Sequence, residues 1–161
     1  MKQHQAKQEG FTIIEVMLVL AIAALIFLMV FVALPALQRG QRDTARKNDV
    51  QNIAAAVTQY TSNNRGKFPD SNGLKGYLGD LSNLDKESIT VQDNAGNGTV
   101  TPTTESAIVV KGVRCDATNS DGATLKKGTS KQFVVVTKLE AGGNGVAYCL
   151  EAWQGRKSTK K

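Results

Sequence analysis

Gln8-Glu9-Gly10-Phe11-Thr12-Ile13-Ile14-Glu15-Val16 is the junction on which the reading of this chain turns. To its left lies a polar stretch, Met1 to Gly10, carrying Lys2, Lys7 and Glu9. To its right the chain stays apolar as far as Leu37, with Glu15 as its one formal charge. Val16 to Leu37 is 22 uncharged residues. At roughly 1.5 Å per residue a helix of that length covers about 33 Å, one bilayer crossing. A cleaved secretory signal would have an apolar core of about 7–15 residues and then a polar cleavage region. The only Ala-x-Ala within this span, Ala21-Ile22-Ala23, sits in its middle. A carboxylate in a membrane span costs about 2.5–3.5 kcal/mol at the centre and less near the edge. Glu15 therefore calls for a partner.

The junction resembles the processing site of type IV prepilins and their relatives, the class III signal. It joins a glycine, an aromatic residue, a lone glutamate and an unbroken span at fixed offsets. In that family a prepilin peptidase cuts after the glycine and N-methylates the new terminal residue. The resemblance implies cleavage between Gly10 and Phe11, with Phe11 as the methylated N-terminus. Glu15 matches the family's glutamate, and Thr12-Ile13-Ile14 and Val16-Met17-Leu18-Val19 match its apolar flanks. It also implies the missing partner. A positive amine on Phe11 meets Glu15 of a neighbouring subunit, which offsets desolvation of both charges and fixes axial register. Against this stands an ordinary single-span anchor in which Glu15 occurs by chance.

Charge patterning gives conflicting signs of orientation. Lys2 and Lys7 precede the span and Arg39, Arg42, Arg46 and Lys47 follow it, which by the positive-inside rule favours a cytoplasmic C-terminus. The family places its leader inside, the orientation adopted here. The chain carries 20 basic and 14 acidic side chains. Loss of Lys2, Lys7 and Glu9 with the leader leaves 18 and 13, a balance of +5. DNA and host-cell surfaces are thereby candidate partners. The basic residues sit beside the span and in the tail Arg156-Lys157-Ser158-Thr159-Lys160-Lys161, without an interleaved aromatic platform. They read as solvated charge.

Helical periodicity continues past the span. Val50, Ile53, Ala54, Val57, Tyr60 and Thr61 follow i, i+3, i+4, i+7 spacing as one buried stripe, and Arg42, Arg46, Lys47, Asp49 and Gln51 fall on other faces. One helix is predicted from about Thr12 to Ser62, ending at Asn63-Asn64-Arg65-Gly66. Pro35 lacks an amide hydrogen and crowds the carbonyl of Phe31, so a kink or local unwinding is expected there, and Gly40 weakens the next turn. The segment Tyr60…Asn64-Arg65-Gly66-Lys67-Phe68-Pro69 resembles an Asn-x-Gly-x-aromatic-Pro turn of major pseudopilins and competence pilins, with phenylalanine for their commoner tyrosine.

Beyond a loop rich in Gly, Asn, Asp and Ser come three β-rich runs, Ala107–Val113, Gln132–Thr137 and Gly145–Leu150. Asn119-Ser120-Asp121-Gly122 and Gly142-Gly143-Asn144-Gly145 separate them, and Ser88-Ile89-Thr90-Val91 adds an edge strand. Short connections between successive strands predict antiparallel pairing. The fold class is α+β: a long kinked N-terminal helix packed on a small antiparallel sheet head, as in type IV pilins. The predicted organisation is a leader at 1–10, a helix at 11–62, an αβ-loop at 63–106, a sheet head at 107–153 and a basic tail at 154–161. Within the helix, 11–37 is the transmembrane or filament-core part and 38–62 is amphipathic. A head this small needs a staple. The resemblance implies a C-terminal disulfide between Cys115 and Cys149, with two buried free thiols as the alternative. A redox pair is disfavoured because Cys-x-x-Cys is absent.

The only histidine, His4, lies in the leader. A mature chain has none, which excludes Ser-His-Asp or Cys-His catalysis and histidine metal sites. No P-loop or dinucleotide fingerprint occurs, so no enzyme activity and no cofactor are expected. Asp116, Asn119 and Asp121 form a calcium candidate that lacks the full ligand spacing, and turn chemistry accounts for the same residues. Asn97-Gly98-Thr99 has the form of a glycosylation sequon but also reads as ordinary loop.

The resemblance implies a pilin precursor, held in the cytoplasmic membrane with its N-terminus inside, that polymerises into an extracellular filament. Its implied partners are copies of itself, the prepilin peptidase, and the assembly platform protein with its ATPase machinery. The filament would serve adhesion, twitching motility or DNA uptake. Alternatives are a pseudopilin or a competence or minor pilin of a secretion or DNA-uptake machine, and a membrane-anchored binding domain that never polymerises.

Overall fold

The computed structural model describes residues 10–93, 96–119, 121–141 and 146–154. The leader up to Glu9, Asn94, Ser120, the Gly142–Gly145 cluster and the tail from Arg156 to Lys161 lie outside the described residues. The chain divides into two compact units, one up to Gln38 and one from Arg39 onward. Helix α1, Ile13–Asn63, contributes to both and keeps its helical assignment through Pro35 and Gly40.

In the second unit the predicted stripe is the helical half of the core. Val50, Ile53, Ala54, Val57 and Thr61 are all buried. The helix ends where Gly66 donates to the Thr61 carbonyl at 2.8 Å and Asn64 caps the Tyr60 carbonyl. Phe68 then stacks edge-to-face on Phe133, with ring centroids 5.8 Å apart. The following segment contains a short helix α2, Ser71–Lys75, capped by Asp70, and strand β1, Ile89–Asp93.

The remaining strands are β2 Gly98–Thr99, β3 Ala107–Lys111, β4 Val113–Cys115, β5 Thr124–Lys127, β6 Gln132–Lys138 and β7 Ala147–Trp153. They form a four-stranded sheet of order β1-β3-β6-β7 and a three-stranded sheet of order β2-β5-β4. Alternate residues of the larger sheet face opposite ways. Ala107, Val109, Phe133 and Val135 pack against α1, while Val110, Val134 and Val136 pack with Val113 and Leu125 of the smaller sheet. Strand β6 is thus buried on both faces, which explains its unbroken Phe133-Val134-Val135-Val136 run.

Two expectations change. The sheet is mixed, because edge strand β1 pairs parallel to β3 with Ile89 opposite Ala107. Parallel neighbours need a crossover of a dozen or more residues, and the 94–106 connection supplies one. The single run predicted over Ala107–Val113 is two strands in different sheets. Gly112 breaks it at φ +78°, a left-handed conformation that glycine adopts without steric cost. Strand β5 was not predicted at all, since Thr-Leu-Lys-Lys has little β signature.

The disulfide Cys115–Cys149 joins β4 to β7, with Cα atoms 6.1 Å apart. On the chain-entropy relation a loop of this size stabilises the fold by about 3–4 kcal/mol. Gly122, at φ +66°, lies so close to strand β7 that any Cβ would run into the Ala147 carbonyl. Gly40 has open space around it and helical backbone. Opposite outcomes are therefore expected in urea unfolding of the detergent-solubilised chain. Gly122→Ala lowers stability by more than about 1 kcal/mol, while Gly40→Ala raises it by roughly 0.5–1 kcal/mol.

Candidate assembly site

Phe11 and Thr12 precede the first turn of α1, and Thr12 caps it. The Glu15 amide donates to the Thr12 carbonyl at 3.1 Å and approaches its hydroxyl at 3.4 Å. The spacing Thr12-x-x-Glu15 is the sequence signature of a capping box, which by itself marks this helix start. Glu15 also lies in the first turn, where the helix dipole favours a negative charge. The helix start is therefore fixed just beyond Gly10-Phe11.

Phe11, Glu15, Val16, Val19 and Leu20 line one helix face and border a recess of about 340 Å³. Among the described residues no cation or hydrogen-bond donor meets the Glu15 carboxylate. Around it the large apolar side chains are uncovered, from Phe11 at 85% exposure through Phe27 and Phe31 to Leu37. Among the described residues this is the one helix long and apolar enough to cross a membrane. Such an area cannot remain in water. Its cover must be lipid or other protein.

Of the basic residues beside the span, Arg39 and Arg42 are exposed, as expected of solvated charge, whereas Arg46 is buried on the face of the apolar stripe rather than another face. Asp43 and Asp49 are buried beside it. The Asp43 carboxylate accepts the Glu140 and Ala141 amides, both at 2.8 Å, and Arg46 Nη1 at 3.0 Å. Arg46 also donates to the Thr104 carbonyl and to Glu140, and Arg42 makes two further bonds to Glu140. Asp49 accepts the amides of Ser82, Asn83 and Leu84. These side chains fall between apolar positions on the helix and bind loops remote in sequence. Lys47 stands 5.6 Å from the Tyr148 ring centroid.

Hydrogen bonds from Arg42 and then Arg46 hold the Glu140 carboxyl at a pKa of about 2. For Asp43, burial alone would push the carboxyl up, but the two loop amides and Arg46 outweigh it and hold it low.

The calcium candidates lie around the β4–β5 turn. Asp116 pairs with Lys126 at 2.8 Å and accepts from Thr118. Asp121 accepts the Ala123 and Thr124 amides, and Asn119 donates to the Thr124 hydroxyl. Turn bonds and a lysine thus occupy these oxygens. Asn97 accepts the Lys127 amide at 2.8 Å.

Comparison with known proteins places a family motif at this end of the chain. Residues 5–31 match the prokaryotic N-terminal methylation motif. The chain is also similar to the fimbrial protein EcpC of Eikenella corrodens, 33% identical over 111 residues that cover 66% of this chain and 69% of that relative. No solved structure matches at a significant level.

A carboxylate whose pKa is depressed by folding stabilises the folded state above its unfolded pKa and loses that contribution as pH falls. For Glu140 the loss runs from about 4.5 down to about 2. Glu140→Gln is expected to flatten the acid limb of a thermal-unfolding profile over that interval. Arg46→Ala, which leaves Asp43 buried without its cation, is expected to cost about 3–5 kcal/mol at neutral pH, read by urea unfolding.

Proposed function

Because the chain belongs to the type IV pilin family, we propose that it is the structural subunit of an extracellular filament, cut between Gly10 and Phe11 and methylated on the new Phe11 amine. The family is one of structural proteins rather than enzymes. The observation that carries the proposal is Glu15, a carboxylate without a partner among the described residues, on the first turn of a helix whose apolar side chains are uncovered. Cleavage creates the cation that this carboxylate lacks. In a stack of helices the Phe11 amine of one subunit meets Glu15 of the next, and apolar contact between helices replaces contact with lipid.

Before assembly the precursor sits in the cytoplasmic membrane with its N-terminus inside. The positive-inside count opposes this orientation, but much of the opposing charge is committed elsewhere. Arg46 is buried in the second unit and Arg42 is paired with Glu140. The disulfide supports an extracytoplasmic location for that unit, since disulfides persist in oxidising compartments. The prepilin peptidase, the platform protein and the assembly ATPase act on the chain at this stage. Local melting between Pro35 and Gly40 lets the subunit adjust during packing, because Pro35 forgoes one helical hydrogen bond and Gly40 contributes low helix propensity.

Adhesion, twitching motility and DNA uptake are properties such a filament would carry collectively. A second reading, a pseudopilin or a competence or minor pilin, draws on the turn at Asn64-Arg65-Gly66-Lys67-Phe68-Pro69, whose Phe68 is a core contact.

Mass spectrometry of filaments sheared from cells separates these readings. The expected result is a dominant chain that begins at methylated Phe11. A trace of the same processed chain assigns a minor role, and a chain that keeps Met1 and stays in the membrane fraction refutes the filament reading. Glu15→Ala is expected to leave the protein level unchanged while abolishing its incorporation beside wild-type subunits.

A further inference from the structure

The second unit carries a feature that the pairing of Phe11 with Glu15 does not involve. Trp153, the only tryptophan in the chain, is 50% exposed at the end of β7. Among the described residues from Arg39 onward, no other large apolar side chain is so uncovered. The β6–β7 register sets Gln132 opposite Trp153 and Val134 opposite Glu151. These residues therefore share the sheet face turned away from α1. Gln132, Glu151 and Trp153, together with Arg114 of β4 and Lys126 of β5, line an open cleft of about 770 Å³, within the range of small-ligand sites.

The polar groups of this cleft are fixed rather than loose. Gln132 is buried, accepts the Thr129 amide at 2.7 Å and donates to Glu151 Oε1 at 2.9 Å. The Glu151 side chain is thus oriented, and its second oxygen has no partner among the described residues. Arg114 likewise makes no side-chain hydrogen bond or ion pair among them, which leaves its guanidinium donors available. Lys126 is already paired with Asp116.

We propose that this cleft binds an uncharged saccharide unit, stacked on the Trp153 indole and held through its hydroxyls by Arg114 and Glu151. A sugar ring offers a flat C–H face, which suits the exposed indole, and a rim of hydroxyls that both donate and accept. Arg114 supplies donors only and the Glu151 carboxylate supplies acceptors only, so the two together match a hydroxyl-bearing rim. The two cations and two carboxylates of the wall cancel. A polyanion such as DNA requires a positive groove, which this is not. An apolar peptide would find a single large apolar side chain in the wall.

A lone tryptophan makes the test direct, because emission of the full chain reports on this cleft alone. The oxidised chain is held in a detergent without a sugar head group. It is titrated with cellobiose, lactose and N,N′-diacetylchitobiose, and separately with heparin and a single-stranded oligonucleotide. The expected result is a saturable emission change with at least one neutral saccharide. Arg114→Ala, an exposed and unpaired position, is expected to weaken binding about tenfold or more, the scale of one lost charged hydrogen bond. Trp153→Ala is expected to abolish binding in calorimetry, with thermal unfolding as the control for folding. The proposal is overturned by no saturable response to the three saccharides, by an undiminished response in Arg114→Ala, or by a response to heparin or the oligonucleotide alone. The titration uses unassembled chain, so its outcome is independent of whether filaments form.

Discussion

Three charged side chains one turn apart on α1, Asp43, Arg46 and Asp49, are buried on the continuation of the apolar stripe, Asp43 and Arg46 seven and four residues before Val50 and Asp49 four before Ile53. Each serves backbone groups that regular structure does not reach. Asp49 takes the amides of residues 82–84, Asp43 those of residues 140–141, and Arg46 the Thr104 carbonyl. A buried amide without a partner costs about 1–3 kcal/mol. The three loops can lie against the helix only because these charges meet them. Burial of the charges is in turn tolerable because each is bonded several times. The helix is thus the organiser of the second unit through polar contacts as well as through its apolar stripe.

The larger sheet completes that arrangement. Its central strands have core on both faces, with α1 on one side and the smaller sheet on the other. A sheet of four short strands would otherwise bury little. The smaller sheet is held to it by Cys115–Cys149 and by the Ala147 amide, which donates to the Asp121 carbonyl at 2.7 Å. This close approach is why residue 122 is glycine. The disulfide and the glycine therefore address the same physical problem, the fastening of a three-stranded ribbon that could not persist alone.

What was legible in the sequence follows a simple division. Val50, Ile53, Ala54 and Val57 announce the core face by spacing alone, and Phe133 to Val136 announce a buried strand by composition. The Gly10-Phe11…Glu15 junction was legible because its signal lies within six consecutive positions. Asp43, Arg46 and Asp49 were not: Arg46 and Asp49 stand four residues before Val50 and Ile53 on the same face, but a charge there calls for loop partners that lie 33 to 98 residues away and leave no local mark. The parallel pairing of β1 was missed because strand direction depends on the path of the 94–106 connection rather than on the strand itself. The cleft at Trp153 was hidden for a similar reason. Its face is set by the β6–β7 register, and its walls come from β4 and β5, which the sequence did not separate into a second sheet.

One electrostatic rule operates at both ends of α1, with opposite results. Past Arg39, every buried charge on the helix finds its partner inside the chain: Asp43 meets Arg46 and two amides, and Asp49 meets three. At the start of the helix Glu15 finds none among the described residues, although it lies in the longest apolar stretch of the protein. In water the carboxylate would need no partner, but the exposed apolar side chains beside it exclude water as a resting place. In lipid it would be costly. Among the described residues α1 thus satisfies its charges at one end and leaves a carboxylate without a partner at the other. The filament proposed above supplies a complement: a cation at the start of a second apolar helix, one turn from that helix's own carboxylate, would be a partner whose geometry repeats from subunit to subunit.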